Sequence, residues 1–219
     1  GFGASSRNAG FVGRTFKTSF GALLEGQGAN YAVAVYRELQ AAFDTVVTLI
    51  EEEGIECGWR RCGRFIAAQS QKHYDSIART LELKHKHLGE PFEMVAPGSE
   101  HREIGSDRFH GGGIVPDLGS VHPGLYHSGM LRLVRDAGAR IVVGTRVTGI
   151  RSETRGFGVS TDRGNVFARH VLIATNGYSS NATPWLNRRL VPFRGFMAAT
   201  EPLPAETLDR ILPTDRTIH

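Results

Sequence analysis

The sequence predicts a mixed α/β fold, and three observations carry that prediction. Amphipathic helical periods alternate with short β-rich runs. A β-meander with a tight Gly-containing turn follows the last clear helix. A continuously apolar run, residues 171–174, then ends in the small polar turn Thr175, Asn176 and Gly177, as expected of a strand buried on both faces. The chain has 219 residues, 40% of them hydrophobic and 22% charged, which is ordinary globular usage and enough for a core without disulfides or a structural metal. With 27 glycines, well above the typical ~7% share, close backbone approaches are expected.

The opening stretch, residues 1–10, interleaves Gly, Ala and Ser with Arg7 and Asn8. Small residues let backbone N–H groups approach an anion, and Arg7 adds charge. It is not a dinucleotide fingerprint, because no strand leads into Gly1 and Gly3 and Ser6 stands where the third glycine belongs. Next, Ala32, Tyr36, Leu39, Phe43, Val46 and Ile50 recur at spacings of four and three, one face of a long helix with Asn30 as N-cap and Gly54 as its C′ stop. Glu51, Glu52 and Glu53 at its end read as a solvated face rather than a metal site.

Residues 57–67 read as strand, interrupted by Gly58 and Gly63. Cys57 and Cys62 are too few and wrongly spaced for a disulfide framework or a CxxC pair, so they are expected to be buried thiols in a reducing cytoplasm. A second helix is expected over 71–88, with Tyr74, Ile77, Leu81 and Leu88 on one face and Gly89 ending it. Lys84, His85, Lys86 and His87 near its end complement the helix dipole rather than hold a metal. Residues 90–107, polar and punctuated by Pro and Gly, read as a connector, and the glycine-led stretch 111–117 leads on to Ser120. Pro123 suits the first position of a third helix through Asp136, with Tyr126, Met130, Leu133 and Ala137 buried and Gly138 as the stop. Strands are expected at 140–144, 146–151, 157–161 and 165–175, the last two joined at Asp162, Arg163 and Gly164.

Several function classes fall away. The formal net charge is +4, and no run of five Lys/Arg marks a nucleic-acid tail. No apolar stretch of about 18 residues predicts a membrane span, and no signal peptide is recognisable. The run from Gly124 to Ser128 is not the G-x-S-x-G of a hydrolase, and no paired carboxylates or Ser–His–Asp pattern stands out. His122, held extended before Pro123, reads as structural rather than proton-transferring. Tyr178 and Trp185 read as packing groups rather than as a cage for a cation.

Four blocks carry a family resemblance: GASSRNAGF, GSVHPGLYHSGMLRLVRDAGARIVVGTRVTGI, VSTDRGNVFARHVLIATNGYSS and RRLVPFRGFMAATEPLP. In this order and spacing they resemble the D-amino-acid-oxidase-type FAD-dependent oxidoreductases, and within them the γ-glutamylputrescine oxidoreductase branch. The resemblance implies a Rossmann-like FAD domain of the glutathione-reductase type, incomplete here, with part of an antiparallel-sheet substrate domain. The expected segments are 1–56 and 116–186 for the FAD domain and 57–115 and 187–219 for the substrate domain.

It further implies that Ala4, Ser5, Ser6, Arg7, Asn8, Ala9 and Gly10 line the flavin, with Ser6 and Ala9 where such proteins carry Gly. Val147 would give a main-chain contact to the adenine, and Ala174, Thr175, Asn176 and Gly177 would close near the diphosphate. Arg194 would reach either the substrate or the surface. The implied chemistry is hydride transfer from the carbon bearing nitrogen to FAD, giving an imine that water hydrolyses. The implied partners are a small amine or amino acid and an electron acceptor, oxygen or another. No residue is singled out as catalytic and no metal is implied. The strand–GxGxxG–helix unit that seats the pyrophosphate would precede Gly1, and further sequence would follow His219, so this chain alone is not expected to hold FAD tightly. The alternative is a non-catalytic nucleotide-binding or interaction module on the same fold.

Overall fold

The computed structural model describes residues 3–193 and 195–219. In chain order the elements are β1 (Phe11–Val12), α1 (Phe20–Gln27), α2 (Ala29–Glu52), β2 (Arg64–Ala67), α3 (Gln71–Leu88), β3 (Glu93–Val95), β4 (Gly112–Val115), β5 (Gly119–Ser120) and α4 (Pro123–Asp136). There follow β6 (Val147–Glu153), β7 (Gly156–Thr161), β8 (Gly164–Ala168), α5 (Pro184–Asn187), α6 (Ala205–Ile211) and β9 (Thr217–Ile218). The chain divides into two compact units, Gly1–Val134 with Met197–His219, and Arg135–Phe196. These boundaries cut across the four segments expected from cofactor and substrate roles.

The first unit is built on a mixed sheet in the order β3-β4-β2-β9, antiparallel except for the parallel β2–β9 pair, beside the small antiparallel pair β1–β5. Side chains alternate across β2. Ile66 packs towards α2 and α3 on a cluster of Phe43, Val47, Ile77, Leu81, Val115 and Leu118. Phe65 and Ala67 join Val95 and Ile114 in a separate cluster, covered by Ile104, Phe109 and Ile218. Gly112 and Gly113 are expected to weaken a strand, yet β4 is buried along its whole length. A Cβ on Gly113 would strike Leu81 and Ile77 of α3, and one on Gly112 would strike the Ile66 carbonyl and the Phe65 ring. The bare Gly113 is what lets α3 lie against the sheet, and the bare Gly112 leaves room for the Phe65 ring.

The long helix starts at Ala29 rather than after Asn30, because Gly28 (φ 82°) separates it from α1, an element the periodicity did not reveal. Its fully buried positions are Ala32, Tyr36, Phe43, Val47 and Ile50, so Val47 takes the place expected for Val46. Gly54 (φ 56°) does stop it: the Ile55 N–H reaches back to the Ile50 carbonyl at 2.9 Å, and the two isoleucines pack together. Glu51, Glu52 and Glu53 are exposed. α3 matches its expected bounds, with Ser70 Oγ accepting from the His73 N–H and Gly89 left-handed at its end.

The expected strand 57–67 shrinks to β2, because the positive φ of Gly58 and Gly63 breaks extended geometry. Cys57 is fully buried and Cys62 half-buried, both as free thiols, and burial raises the Cys57 pKa. The expected connector 90–107 contains β3 and a 3-10 turn at Glu100–Arg102. Buried Glu100 organises this turn, its carboxylate accepting from the backbone N–H groups of Gly98 (2.7 Å) and Gly111 (3.2 Å). Burial alone would raise its pKa, but these donors outweigh burial and hold it below the usual value. On α4, Tyr126, Met130 and Leu133 are half-buried against Ile50, Ile55 and Cys57, whereas Ala137 lies beyond the helix end and is exposed.

In the second unit, β6, β7 and β8 form the antiparallel meander, with Thr161 opposite Gly164 at the expected turn. One expected strand is not formed, and the one expected over 165–175 ends with β8 at Ala168. Residues 140–144 are irregular, leaving Val142 and Val143 exposed. The supposedly buried strand at 171–174 is also irregular, with Leu172 91% exposed. A doubly buried strand needs a hydrogen-bonded neighbour, and no described strand pairs with either run.

Two stability effects follow. Gly113→Ala should lose roughly 1–3 kcal/mol in urea unfolding, because its methyl drives into α3. Glu100→Gln should destabilise the protein by about 1–3 kcal/mol at neutral pH. A depressed carboxyl pKa contributes stability above the usual carboxylate range and loses it as pH falls through the folded-state value. The gap between wild type and Glu100→Gln should therefore narrow in acid, as read by melting temperature against pH.

Candidate functional site

The loop at residues 4–10 is a self-bonded turn. Ala4–Ser6 form a 3-10 turn, and the Asn8 amide donates to the carbonyls of Ala4 and Ser5, both at 3.1 Å. Asn8 Oδ1 accepts from the Gly10 N–H at 2.9 Å, and Ser6 Oγ donates to the Gly3 carbonyl. Gly10 (φ 70°) has no room for a side chain: a Cβ would run into the Val121 carbonyl and come within 3.2 Å of Pro123 Cδ. The Val121 N–H donates to the Gly10 carbonyl at 2.9 Å, docking the loop on the entry to α4. Ser6 and Ala9 are not at positive φ, so their Cβ atoms carry no backbone strain.

Ser6, Asn8 and Ala9 face a cavity of about 450 Å³ shared with Arg60, Ser120 and His122. His122 has the structural role expected of it. Its Nδ1 accepts from the Leu125 N–H at 3.2 Å, in the manner of a helix N-cap, and its own N–H donates to the Cys57 carbonyl at 2.7 Å. Small residues, backbone amides and a glycine that a Cβ would overfill make this loop fit one edge of a nucleotide cofactor.

The other sequence-derived cofactor residues belong to the second unit. Val147 opens β6, opposite Thr161. Ala174 and Thr175 are irregular, and Asn176, left-handed at φ 49°, starts a 3-10 turn with Gly177 and Tyr178. Ser179 Oγ closes this turn on the Asn176 carbonyl at 3.1 Å and meets Thr175 Oγ1 at 3.0 Å. Arg194 lies outside the described residues. Tyr178 and Trp185 do not pack in a core: both are more than half exposed, and Trp185 stacks under the Arg189 guanidinium at 4.0 Å instead.

Sequence reasoning missed a buried ion network in the first unit. Arg14 is 4% exposed, and its two terminal nitrogens grip Asp117 at 2.7 and 2.8 Å. Its Nε lies 3.5 Å from Glu90, which also faces Lys84 Nζ at 3.7 Å. Lys84 is therefore not a solvated dipole complement. It sits over the Tyr36 ring at 4.7 Å, and burial lowers its pKa while Glu90 partly restores it. Burial acts on Arg14 in the same sense, but Asp117 and Glu90 more than compensate and its pKa is raised. Only Lys84 of this group had a local signal, the basic run at the end of α3. Arg14, Glu90 and Asp117 meet across three separate loops, which no periodicity announces.

A family model described as DAO, FAD dependent oxidoreductase, matches residues 1–218. The chain belongs to this family. A probable oxidoreductase OrdL of Haemophilus influenzae is 25% identical over 217 residues, 97% of this chain and 50% of that protein. The γ-glutamylputrescine oxidoreductase of Escherichia coli is 25% identical over 220 residues, 100% of this chain and 51% of its own length. Among solved structures, the glycine oxidase of Geobacillus kaustophilus superposes with a TM-score of 0.65 at 25% identity, covering 85% of this chain and 49% of that one. This member of the DAO family thus spans about half the length of the curated relatives it matches. No helix among its described residues is long and apolar enough to cross a membrane.

Removing one partner of a buried ion pair leaves the other charge uncompensated. Asp117→Leu should therefore destabilise the first unit by about 3–5 kcal/mol. The double variant Arg14→Met/Asp117→Leu should recover most of that loss, a coupling that urea denaturation of the double-mutant cycle reads directly.

Proposed function

We propose that the full protein oxidises a small amine or amino acid with FAD as its cofactor, in a reducing cytoplasm. The observation that carries this reading is the match to the FAD-dependent oxidoreductase family across residues 1–218. A γ-glutamylputrescine oxidoreductase among the relatives and a glycine oxidase among the solved structures support the substrate class. The two free cysteines support the compartment.

In this reading the loop of Ala4, Ser5, Ser6, Arg7, Asn8, Ala9 and Gly10 lies along the cofactor, offering backbone N–H groups and small side chains. Val147 and the turn Ala174, Thr175, Asn176 and Gly177 are the further cofactor contacts that this reading assigns. When bound, FAD supplies the acceptor for the hydride leaving the substrate carbon that bears nitrogen. The chain's own part is to bind and orient. The Asn8 hydrogen bonds hold the loop in one shape, and Gly10 lets it dock on Val121.

The 219-residue chain alone should lose flavin colour on gel filtration, because a helix N-terminus that seats the pyrophosphate is expected in additional sequence. A longer protein carrying that unit should stay yellow, and its flavin should be bleached anaerobically by an amine or amino acid. A longer protein that remains colourless would overturn the cofactor assignment. A yellow protein bleached by no member of an amine and amino-acid panel would overturn the activity.

A further inference from the structure

The chain has six asparagines, and five of them are bonded, helical or followed by a residue with a Cβ. The Asn8 amide donates to two carbonyls while its oxygen accepts from the Gly10 N–H. Asn30 is the second residue of α2 and precedes Tyr31, and Asn165 lies in β8 before the β-branched Val166. Asn187 Nδ2 donates to Asn181 Oδ1 at 3.4 Å, and these two precede Arg188 and Ala182. Asn176 differs on every count. It is exposed, its side-chain amide has no hydrogen-bond partner among the described residues, and it is the one asparagine followed by glycine.

The main chain after it is equally free. Gly177 is exposed, its N–H has no partner among the described residues, and no atom beyond its chain neighbours lies within 4 Å of where its Cβ would be. The bonds that shape this turn run elsewhere. The Tyr178 N–H donates to the Thr175 carbonyl at 3.0 Å, and Ser179 Oγ donates to the Asn176 carbonyl at 3.1 Å. Asn176 stands at φ 49°, a conformation that asparagine tolerates better than most residues, and Gly177 adds no steric limit to rotation beside their shared peptide. A nucleophilic nitrogen and an electrophilic carbon on adjacent residues, with no bond holding them apart, meet the proximity condition of an intramolecular reaction.

We propose that Asn176 is a site of spontaneous modification, converted through a succinimide to aspartate and isoaspartate. The Gly177 nitrogen attacks Asn176 Cγ. The N–Cγ bond forms, the Cγ–Nδ2 bond breaks, and the Gly177 N–H proton leaves with Nδ2 as ammonia. Water then opens the ring, at Cγ to give aspartate or at the main-chain carbonyl carbon to give isoaspartate. No oxidant or reductant takes part. Between His170 and Arg188 the sequence carries no charged residue, so either product gives this segment its first formal charge. Isoaspartate also lengthens the main chain by one carbon and turns the carbonyl that accepts from Ser179 into a carboxylate. The inference does not depend on the flavin assignment, because mass spectrometry reads the residue without cofactor or turnover.

Incubation of the 219-residue chain in mildly alkaline buffer, followed by tryptic mapping and tandem mass spectrometry, tests it. The tryptic peptide 170–188 contains Asn176, Asn181 and Asn187, so two internal controls travel with the site. Aspartate plus isoaspartate at position 176 should accumulate at least about tenfold faster than at either control, and no more than about tenfold slower than in the free synthetic peptide 170–188. Gly177→Ala should slow the conversion at least about tenfold, because the added methyl hinders approach of the nitrogen. That methyl meets open space at a backbone conformation any residue adopts, so the variant keeps the fold. Failure of any of the three overturns the proposal: Asn181 or Asn187 converting at a comparable rate, Asn176 persisting in the intact chain while the free peptide converts, or Gly177→Ala keeping the parent's rate.

Discussion

The buried Arg14 guanidinium, held by both oxygens of Asp117, joins positions 103 residues apart in the sequence and fixes the N-terminal segment of the first unit. Residue 14 follows β1, and residue 117 lies between β4 and β5, so the pair clamps the β1–β5 ladder in register from one end. Just upstream, the Gly10–Val121 hydrogen bond closes the other end of that ladder. The loop carrying Ala4–Gly10 is therefore not a free terminus. Its place over the start of α4 is set by a charge pair, a two-residue ladder and a glycine with no room for a Cβ. The same Arg14 forms part of the wall of the cavity bounded by α1, α2, α3 and β2.

Charge placement distinguishes the buried cations of this unit. Arg14, Lys84, Glu90 and Asp117 balance one another, and a balanced buried network behaves as scaffold: it orients loops but has little left to offer a ligand. Arg64, a few ångströms from Gly13 and Phe11, is desolvated without balance.

Local rules read much of the fold correctly. Gly89 ends α3, Gly54 ends α2, Pro123 starts α4 and the Asp162–Gly164 turn joins β7 to β8, because each signal is a short-range steric or hydrogen-bonding fact. Where an element owes its existence to partners, the same rules failed. β4 is a strand in spite of two glycines because Gly113 leaves space for α3 and Gly112 for the Phe65 ring of β2. Residues 140–144 and 171–174 are apolar and β-prone yet form no strand, because no described strand pairs with them. The candidate site divides in the same way. The small-residue loop and its family resemblance were legible, while Arg14, Glu90, Asp117 and Arg64 carry no sequence signature.

The sequence by itself determined the mixed α/β class, the ends of α2, α3 and α4 and membership of the FAD-dependent oxidoreductase family, since caps, turns and motif blocks are written in neighbouring residues. Only the tertiary structure decided which cations are answered and which is not. Whether a buried guanidinium is balanced depends on the carboxylates brought to it from distant loops and on the water taken from it, and neither is a property of adjacent positions in the chain.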